Sequence, residues 1–160
     1  MSLQRAEVPG DSVAAAGAIY PLLTAAVRLQ PRDISLTAAS TLATVERTGP
    51  RRITDLAVTE GVAQPSMTAL VTVLARAGLA ERRADPTDQR VVLVALTAAG
   101  ADYLRSRRRA GTEALARLID KLPPDEVAAL LAAAPALRHL HELDNEQRAA
   151  GHQVPAPARR

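Results

Sequence analysis

The sequence predicts a mainly α fold with one small β-hairpin wing: a winged helix-turn-helix carried between long N- and C-terminal helices. Three observations lead there. Residues 53–77 hold two short helical patterns joined by a glycine turn, and residues 79–96 hold two strand-like runs around a turn-rich centre. Apolar stripes of helical period then lie on both sides of this stretch.

The helix pair is recognised by its spacing. Leu56 and Ala57 sit at the centre of the first pattern, Gly61 follows four residues after Ala57, and Val62, Met67 and Leu70 fall where two crossed helices bury side chains. A residue as small as Ala57 lets the second helix approach, and Gly61 can take the positive φ that a tight inter-helix turn needs.

Composition bounds the rest. At 160 residues the chain is most simply one domain, with or without dimerisation arms, and 48% hydrophobic residues suffice for a core. Aromatics make up 1%, namely Tyr20 and Tyr103, so the core is expected from Leu, Val, Ile and Ala. Cysteine is absent, which excludes disulfides, thiolate metal sites and thiol-based redox sensing. Gln4, Arg5, Glu7 and Asp11 interrupt the first apolar residues, and no run approaches the ~18 apolar residues of a membrane span, so a soluble cytoplasmic chain without a membrane partner is expected. Net charge is +3. Its distribution says more: Arg76, Arg82, Arg83, Arg90, Arg105, Arg107, Arg108 and Arg109 cluster centrally, ahead of the acidic Glu113, Asp120, Asp125, Glu126, Glu142, Asp144 and Glu146. That arrangement suggests one face for a polyanion and a separate face for something else.

The elements follow in order. Residues 1–11 are a flexible N-terminus, closed by Pro9 and Gly10, with Asp11 or Ser12 as the first helix cap. Residues 12–34 form the N-terminal helical segment, in which Ile19, Leu22, Leu23, Ala26 and Val27 make an apolar stripe able to pack within the chain or against a second copy. Pro21 should kink this helix or mark an internal start, and Pro31 stops it. A lobe spanning residues 35–97 opens with a helix from Leu36 to about Arg47, with Leu42 and Val45 inward. Arg51 and Arg52 precede the first helix of the pair, where they can touch phosphates or stand as solvated loop residues, and Thr54 is a candidate N-cap.

The second helix of the pair is expected from Pro65 to Ala77, with Pro65 in the first position, where its missing N–H costs nothing. Met67, Leu70, Val71 and Leu74 share one face and should point inward, while Pro65, Thr68, Ala69, Thr72 and Arg76 face outward. An outer face with small polar residues, one arginine and no carboxylate suits a helix in a DNA major groove. Gly78 ends it. The strands 79–84 and 90–96 flank Asp85-Pro86-Thr87-Asp88-Gln89. Arg83 and Arg90 lie in this hairpin; Arg90 stands at its tip, where it can enter a minor groove, and Asp88 is expected to brace it through a hydrogen bond.

Thr97 caps a long helix reaching about Lys121, broken by Leu122-Pro123-Pro124. A last helix begins at Asp125 and Glu126 and carries Val127, Leu130, Leu131, Ala134, Leu137, Leu140 and Leu143, with a kink expected at Pro135. Residues 98–147 are thus the C-terminal helical segment, and residues 148–160 a disordered tail.

On the motifs ITDLA, LARAGLAERR and DPTDQRVVLVALTAAG, the chain resembles the MarR family of bacterial transcriptional regulators over residues 12–147. The resemblance implies a homodimer whose terminal helices interlock, so that residues 12–34 and 98–147 become dimerisation helices. Two winged lobes would then read a pseudo-palindromic operator from recognition helices about 34 Å apart. It further implies a repressor released by a small lipophilic or aromatic effector bound between dimerisation helices and lobe. Tyr20 and Tyr103 lie on helices bordering that place, either lining a pocket or packed in the core.

Two residues depart from the family pattern. Ala69 stands where a long polar side chain is usual, and Gln89 where a basic one is common. Base readout is therefore expected from Gln64, Ser66, Thr68 and Thr72, with Arg90 in the minor groove. His139 and His141 lie two apart on a helix and His152 in the tail, so no metal is expected, and no cofactor motif or catalytic arrangement is present. The alternative to a DNA-binding regulator is a winged-helix protein-protein interaction module without DNA binding, motivated by the modest net charge and the plain face around Ala69.

Overall fold

The computed structural model of the chain describes residues 9–29, 31 and 33–151. Its elements run α1 (Gly10–Arg28), α2 (Leu36–Thr48), β1 (Arg51–Arg52), α3 (Ile53–Thr59), α4 (Gln64–Arg76), β2 (Ala80–Ala84), β3 (Val92–Leu96), α5 (Ala98–Ile119) and α6 (Pro124–Gly151). Residues 1–8 and the tail beyond residue 151, including His152, lie outside the described residues. At both ends the helices reach past the expected bounds, because each extends until its backbone pattern is broken: α1 starts at Gly10 with Pro9, and not Asp11 or Ser12, in the cap position, and α6 continues through 148–151.

One core holds the lobe together. Leu42 and Val45 of α2, Leu56 and Ala57 of α3, Met67, Val71 and Leu74 of α4, Ala80 and Val94 of the sheet, and Leu104 of α5 form a single buried cluster. Each aliphatic side chain taken fully from water contributes about 1.5–3 kcal/mol. The inward face expected for α4 is the buried one, with Leu70 partly covered at its edge. Gly61, at φ 64, makes the α3–α4 turn, and the Val62 N–H closes it on the Ala57 carbonyl at 3.0 Å. Gly78, at φ 72, ends α4: its N–H meets the Ala75 carbonyl and the Leu79 N–H the Leu74 carbonyl, each at 3.0 Å, satisfying the last helical acceptors.

The sheet has three strands in the order β1-β3-β2, all antiparallel. Its third strand was not legible. Arg51 and Arg52, read as residues ahead of a helix, pair with Val94 and Leu93. Thr54 is not the N-cap of α3. The ladder holds Arg52 extended directly against Ile53, so Arg52 takes the cap position with no side-chain cap, and the Thr54 hydroxyl, inside the helix, lies 3.3 Å from the Asp55 carboxylate. In α4, Gln64 precedes Pro65 within the helix, Ala63 being the cap residue.

Neither proline ends its helix: Pro21 lies inside α1 and Pro135 inside α6. No residue of α1 is buried. One sequence expectation is corrected here. By length and composition alone α1 is apolar enough to cross a membrane, with a mean hydropathy of 1.3 over its best window. Val13, Ile19, Leu22, Leu23 and Val27 carry most of that value and six alanines the rest, although polar residues and Pro21 interrupt the run.

The start of α5 is held against Gly78 and Leu79, the residues that follow α4. Thr97 caps α5 by accepting the Gly100 N–H at 2.9 Å, and the same hydroxyl donates to the Gly78 carbonyl at 2.6 Å. At Gly100 an added Cβ would collide with the Leu79 carbonyl oxygen and crowd the Leu96 side chain, so the absence of a side chain permits the approach.

Candidate nucleic-acid interface

α4 presents Gln64, Pro65, Ser66, Thr68, Ala69 and Arg76 exposed on its outer side, with Thr72 half-buried beside them. The threonine hydroxyls are already engaged. Thr68 donates to the Gln64 carbonyl at 2.9 Å and Thr72 to the Thr68 carbonyl at 2.8 Å, so each oxygen is left only as an acceptor. That of Thr72 accepts from the Arg82 guanidinium at 2.9 Å, which ties strand β2 to the outer face of α4. Val73, one turn beyond Ala69, is exposed over 61% of its surface and belongs to the same face. Sequence reading missed both Val73 and the role of Arg82, although the four-residue step from Ala69 points to Val73.

The wing is built from its turn residues. Asp85 accepts the Thr87 hydroxyl at 2.6 Å and the Thr87 N–H at 2.8 Å, and these bonds, with Arg52 nearby, hold its carboxyl below the usual range. Asp88 does not brace the Arg90 side chain. Its carboxylate accepts the Arg90 backbone N–H at 3.0 Å, because a residue two positions ahead reaches the backbone more easily than an extended guanidinium. The Arg90 side chain projects from an ordered turn and has no ion pair among the described residues.

The basic cluster read from the sequence divides. Arg83 pairs with Glu81 on its own strand, its Nε 2.6 Å from the carboxylate. Arg105 pairs with Asp102, Arg109 with Glu113 at 3.5 Å, and Arg108 makes a two-pronged pair with Glu46 of α2 at 2.7 and 3.1 Å. Arg107 is buried: it donates to the Pro31 carbonyl at 2.7 Å and lies 3.3 Å from both the Asp33 carboxylate and the Tyr103 hydroxyl. Of the α5 arginines, Arg107 and Arg108 therefore tie the helix to the rest of the chain, while Arg105 and Arg109 pair on its own exposed surface. Arg51 is half-buried, its Nε donating to Thr48 at 3.0 Å. Arg52, Arg76 and Arg90 are left exposed without an ion pair among the described residues.

Tyr103 packs against the core and donates its hydroxyl to Asp33 at 2.8 Å, whereas Tyr20 is exposed over 69% of its surface. A cleft of about 470 Å³ opens where α1, α2 and α5 meet, lined by Val27, Arg28, Asp33, Ile34, Leu36 and Arg107 among others. Neither tyrosine lines it: Tyr20 faces away in the single chain, and Tyr103 sits behind Asp33 and Arg107, which hold its hydroxyl.

Residues 34–92, which span α2 to the wing, match the MarR family. An uncharacterized HTH-type transcriptional regulator of Mycobacterium bovis is 37% identical over 101 residues, covering 63% of this chain and 71% of the relative. The chain belongs to the MarR family. Its backbone follows that of RV1404 from Mycobacterium tuberculosis with a TM-score of 0.63 and 26% identity, over 86% of this chain and 97% of the other. The fold is also that of wild-type MarR from E. coli, with a TM-score of 0.57 and 24% identity over 82% of this chain and 98% of the other. Like the rest of the MarR family it is a DNA-binding transcriptional regulator and not an enzyme.

Proposed function

We propose that this MarR-family regulator is a homodimeric repressor that grips a pseudo-palindromic operator with α4 and the wing, and that a small lipophilic or aromatic compound releases it. The observation that carries the reading is the exposure of the terminal helices. Leu22, Leu23 and Val27 of α1 and Leu130, Leu131, Leu137, Leu140 and Leu143 of α6 are all exposed in the single chain. Large apolar side chains at helical spacing on two exposed helices can be covered by a second copy of the chain. Tyr20, equally exposed, falls within the same surface.

In this reading Gln64 and Ser66 of α4 reach base edges, Arg52 and Arg76 neutralise phosphates, and Arg90 enters the minor groove from the wing. Arg51, Arg83, Thr54 and Asp88 shape the surface without leading contact, since each is engaged with a neighbour in the chain. A dimer fixed across an operator excludes other proteins from the same duplex, which is repression by occupancy. The cleft between α1 and the lobe is of the size small-molecule sites have, and Val27, Pro31, Ile34 and Leu36 give it an apolar lining suited to a lipophilic compound, with Arg28, Asp33 and Arg107 as its charged groups. Occupying it would change the angle between α1 and the lobe, and with it the spacing of the two α4 helices.

Sedimentation of the purified chain, with mobility shifts on DNA from beside its own gene, tests the reading. A dimer that protects an inverted repeat, blocks transcription from it in a purified system and dissociates when a salicylate-like compound is added is expected. A monomer at micromolar concentration, or a folded dimer that shifts no duplex at low salt, overturns it; the second result favours a protein-binding module.

A further inference from the structure

The outward ridge of α4 is apolar at its centre. Pro65, Ala69 and Val73 follow at four-residue intervals and are all exposed, Val73 over 61% of its surface. The polar groups beside this ridge have no hydrogen left to donate, since the Thr68 and Thr72 hydroxyls are bonded to helix carbonyls, and the Thr72 oxygen accepts from Arg82, which leaves the Thr68 oxygen as an acceptor. Cations border it: Arg76 in the last turn of α4, Arg82 on β2, and Arg52 and Arg90 beyond. An apolar ridge framed by arginines fits an apolar feature on a polyanion. In the major groove the thymine C5-methyl is that feature, while the N7 and O6 acceptors of guanine and the N7 acceptor of adenine find no donor on this ridge.

We propose that Ala69 and Val73 select bases by apolar contact with thymine methyl groups, so that each operator half-site carries thymine opposite the middle of α4. The proposal rests on α4 being the helix that enters the groove and adds which base chemistry it selects there. Polar readout is then confined to the first turn, at Gln64 and Ser66, and to the arginines at the edges.

Deoxyuridine provides the test, because it removes the methyl group and leaves base pairing unchanged. Full-length protein is used to select duplexes from a randomised library. The selected duplex is then remade with one thymidine at a time replaced by deoxyuridine. Loss of a contacted methyl should weaken binding about fourfold, the equivalent of about 0.8 kcal/mol for one buried CH₂. Val73→Ala, a change at an exposed helical position, should keep the thermal melt and cancel that penalty at one position. Equal affinity for thymidine and deoxyuridine duplexes with salt-dependent binding intact overturns the proposal and leaves DNA binding standing, as does a selected half-site without thymine. A Val73→Ala protein weakened equally on both duplexes removes Val73 from the assignment. Selection of no duplex by folded protein at low salt overturns both the proposal and the reading of α4 beneath it.

Discussion

The Thr97 hydroxyl donates a 2.6 Å hydrogen bond to the Gly78 carbonyl, so the residue that starts α5 also holds the residue that ends α4. The end of α4 is thereby joined to the start of α5, where the Thr97 N–H also reaches the Leu79 carbonyl at 3.3 Å and Leu104 of α5 shares the core with α4.

Thr97→Ala removes the α5 cap and the bond to Gly78 together. A lost cap costs about 1 kcal/mol and a lost internal hydrogen bond a similar amount, so a loss of about 2 kcal/mol in urea unfolding is expected. Thr97→Ser keeps the hydroxyl and should retain most of the stability. Equal losses in the two variants would assign the effect to the methyl group instead.

Gly100→Ala should be worse than its size suggests. The added Cβ meets backbone, the Leu79 carbonyl oxygen, which no rotamer change can move aside. A loss of about 1–3 kcal/mol or more is expected, as for other overpacked sites, although alanine is the better helix former. A melt unchanged from the parent would show that α5 can stand farther from the sheet.

Arg107→Met keeps an unbranched apolar stem but deprives the Pro31 carbonyl of its donor and Asp33 of a cation. Hydrogen bonds from charged groups contribute about 1.5–3 kcal/mol, and a loss in that range is expected in denaturant unfolding. Arg107→Lys should recover most of it, since all three contacts are made by the one nitrogen Nη1, a role that an ammonium with three donors can fill.

Acid should weaken the α2–α5 contact. The Arg108 guanidinium bonded to Glu46 holds that carboxyl below its ordinary value of 4.5, and the Tyr103 hydroxyl does the same for Asp33, ordinarily 3.8. A folded pKa below the unfolded one means stability that is complete above the unfolded value and lost as pH falls through the folded value. Melts should therefore drop below about pH 4.5, and Glu46→Gln should remove part of that drop while costing little at pH 7, the pair being solvent-exposed. Burial and the Asp33 carboxylate raise the Tyr103 phenol above 10.0, so its contribution is present below that value and declines in stronger alkali.

Arg90→Ala should weaken operator binding and lower the log–log salt slope by up to about 0.9, since a cation held in the minor groove also displaces a counterion condensed on the flanking phosphates. Because Asp88 braces the backbone and not the guanidinium, Asp88→Ala should loosen the turn and weaken binding less, with the slope unchanged. A slope that stays the same in Arg90→Ala removes Arg90 from the phosphate contacts.

Much of the lobe was legible because its determinants are local. The inward face Met67, Leu70, Val71 and Leu74 follows from helical period, the turns at Gly61 and Gly78 from the φ only glycine takes easily, and the Thr97 cap from one residue type at a helix start. The site was legible as a place, with α4 and the wing where spacing put them. It was less legible as a set of free groups, because whether an arginine is available depends on who stands opposite. Arg107 and Arg108 find Asp33 and Glu46, 74 and 62 residues away in sequence, and leave the basic surface. No pattern in the arginine run announces those partners.

The sequence by itself determined which stretches are helices, which face of α4 is buried and that a turn-rich hairpin follows it, since period and turn chemistry act over a few residues. Only the tertiary structure decided that Arg51 and Arg52 close the sheet as a third strand, that Arg82 takes up Thr72, and that Asp88 serves the backbone and not the arginine. Those outcomes depend on which groups the chain path brings within about 3 Å of one another, the reach of a hydrogen bond, and spacing along the sequence does not encode that distance.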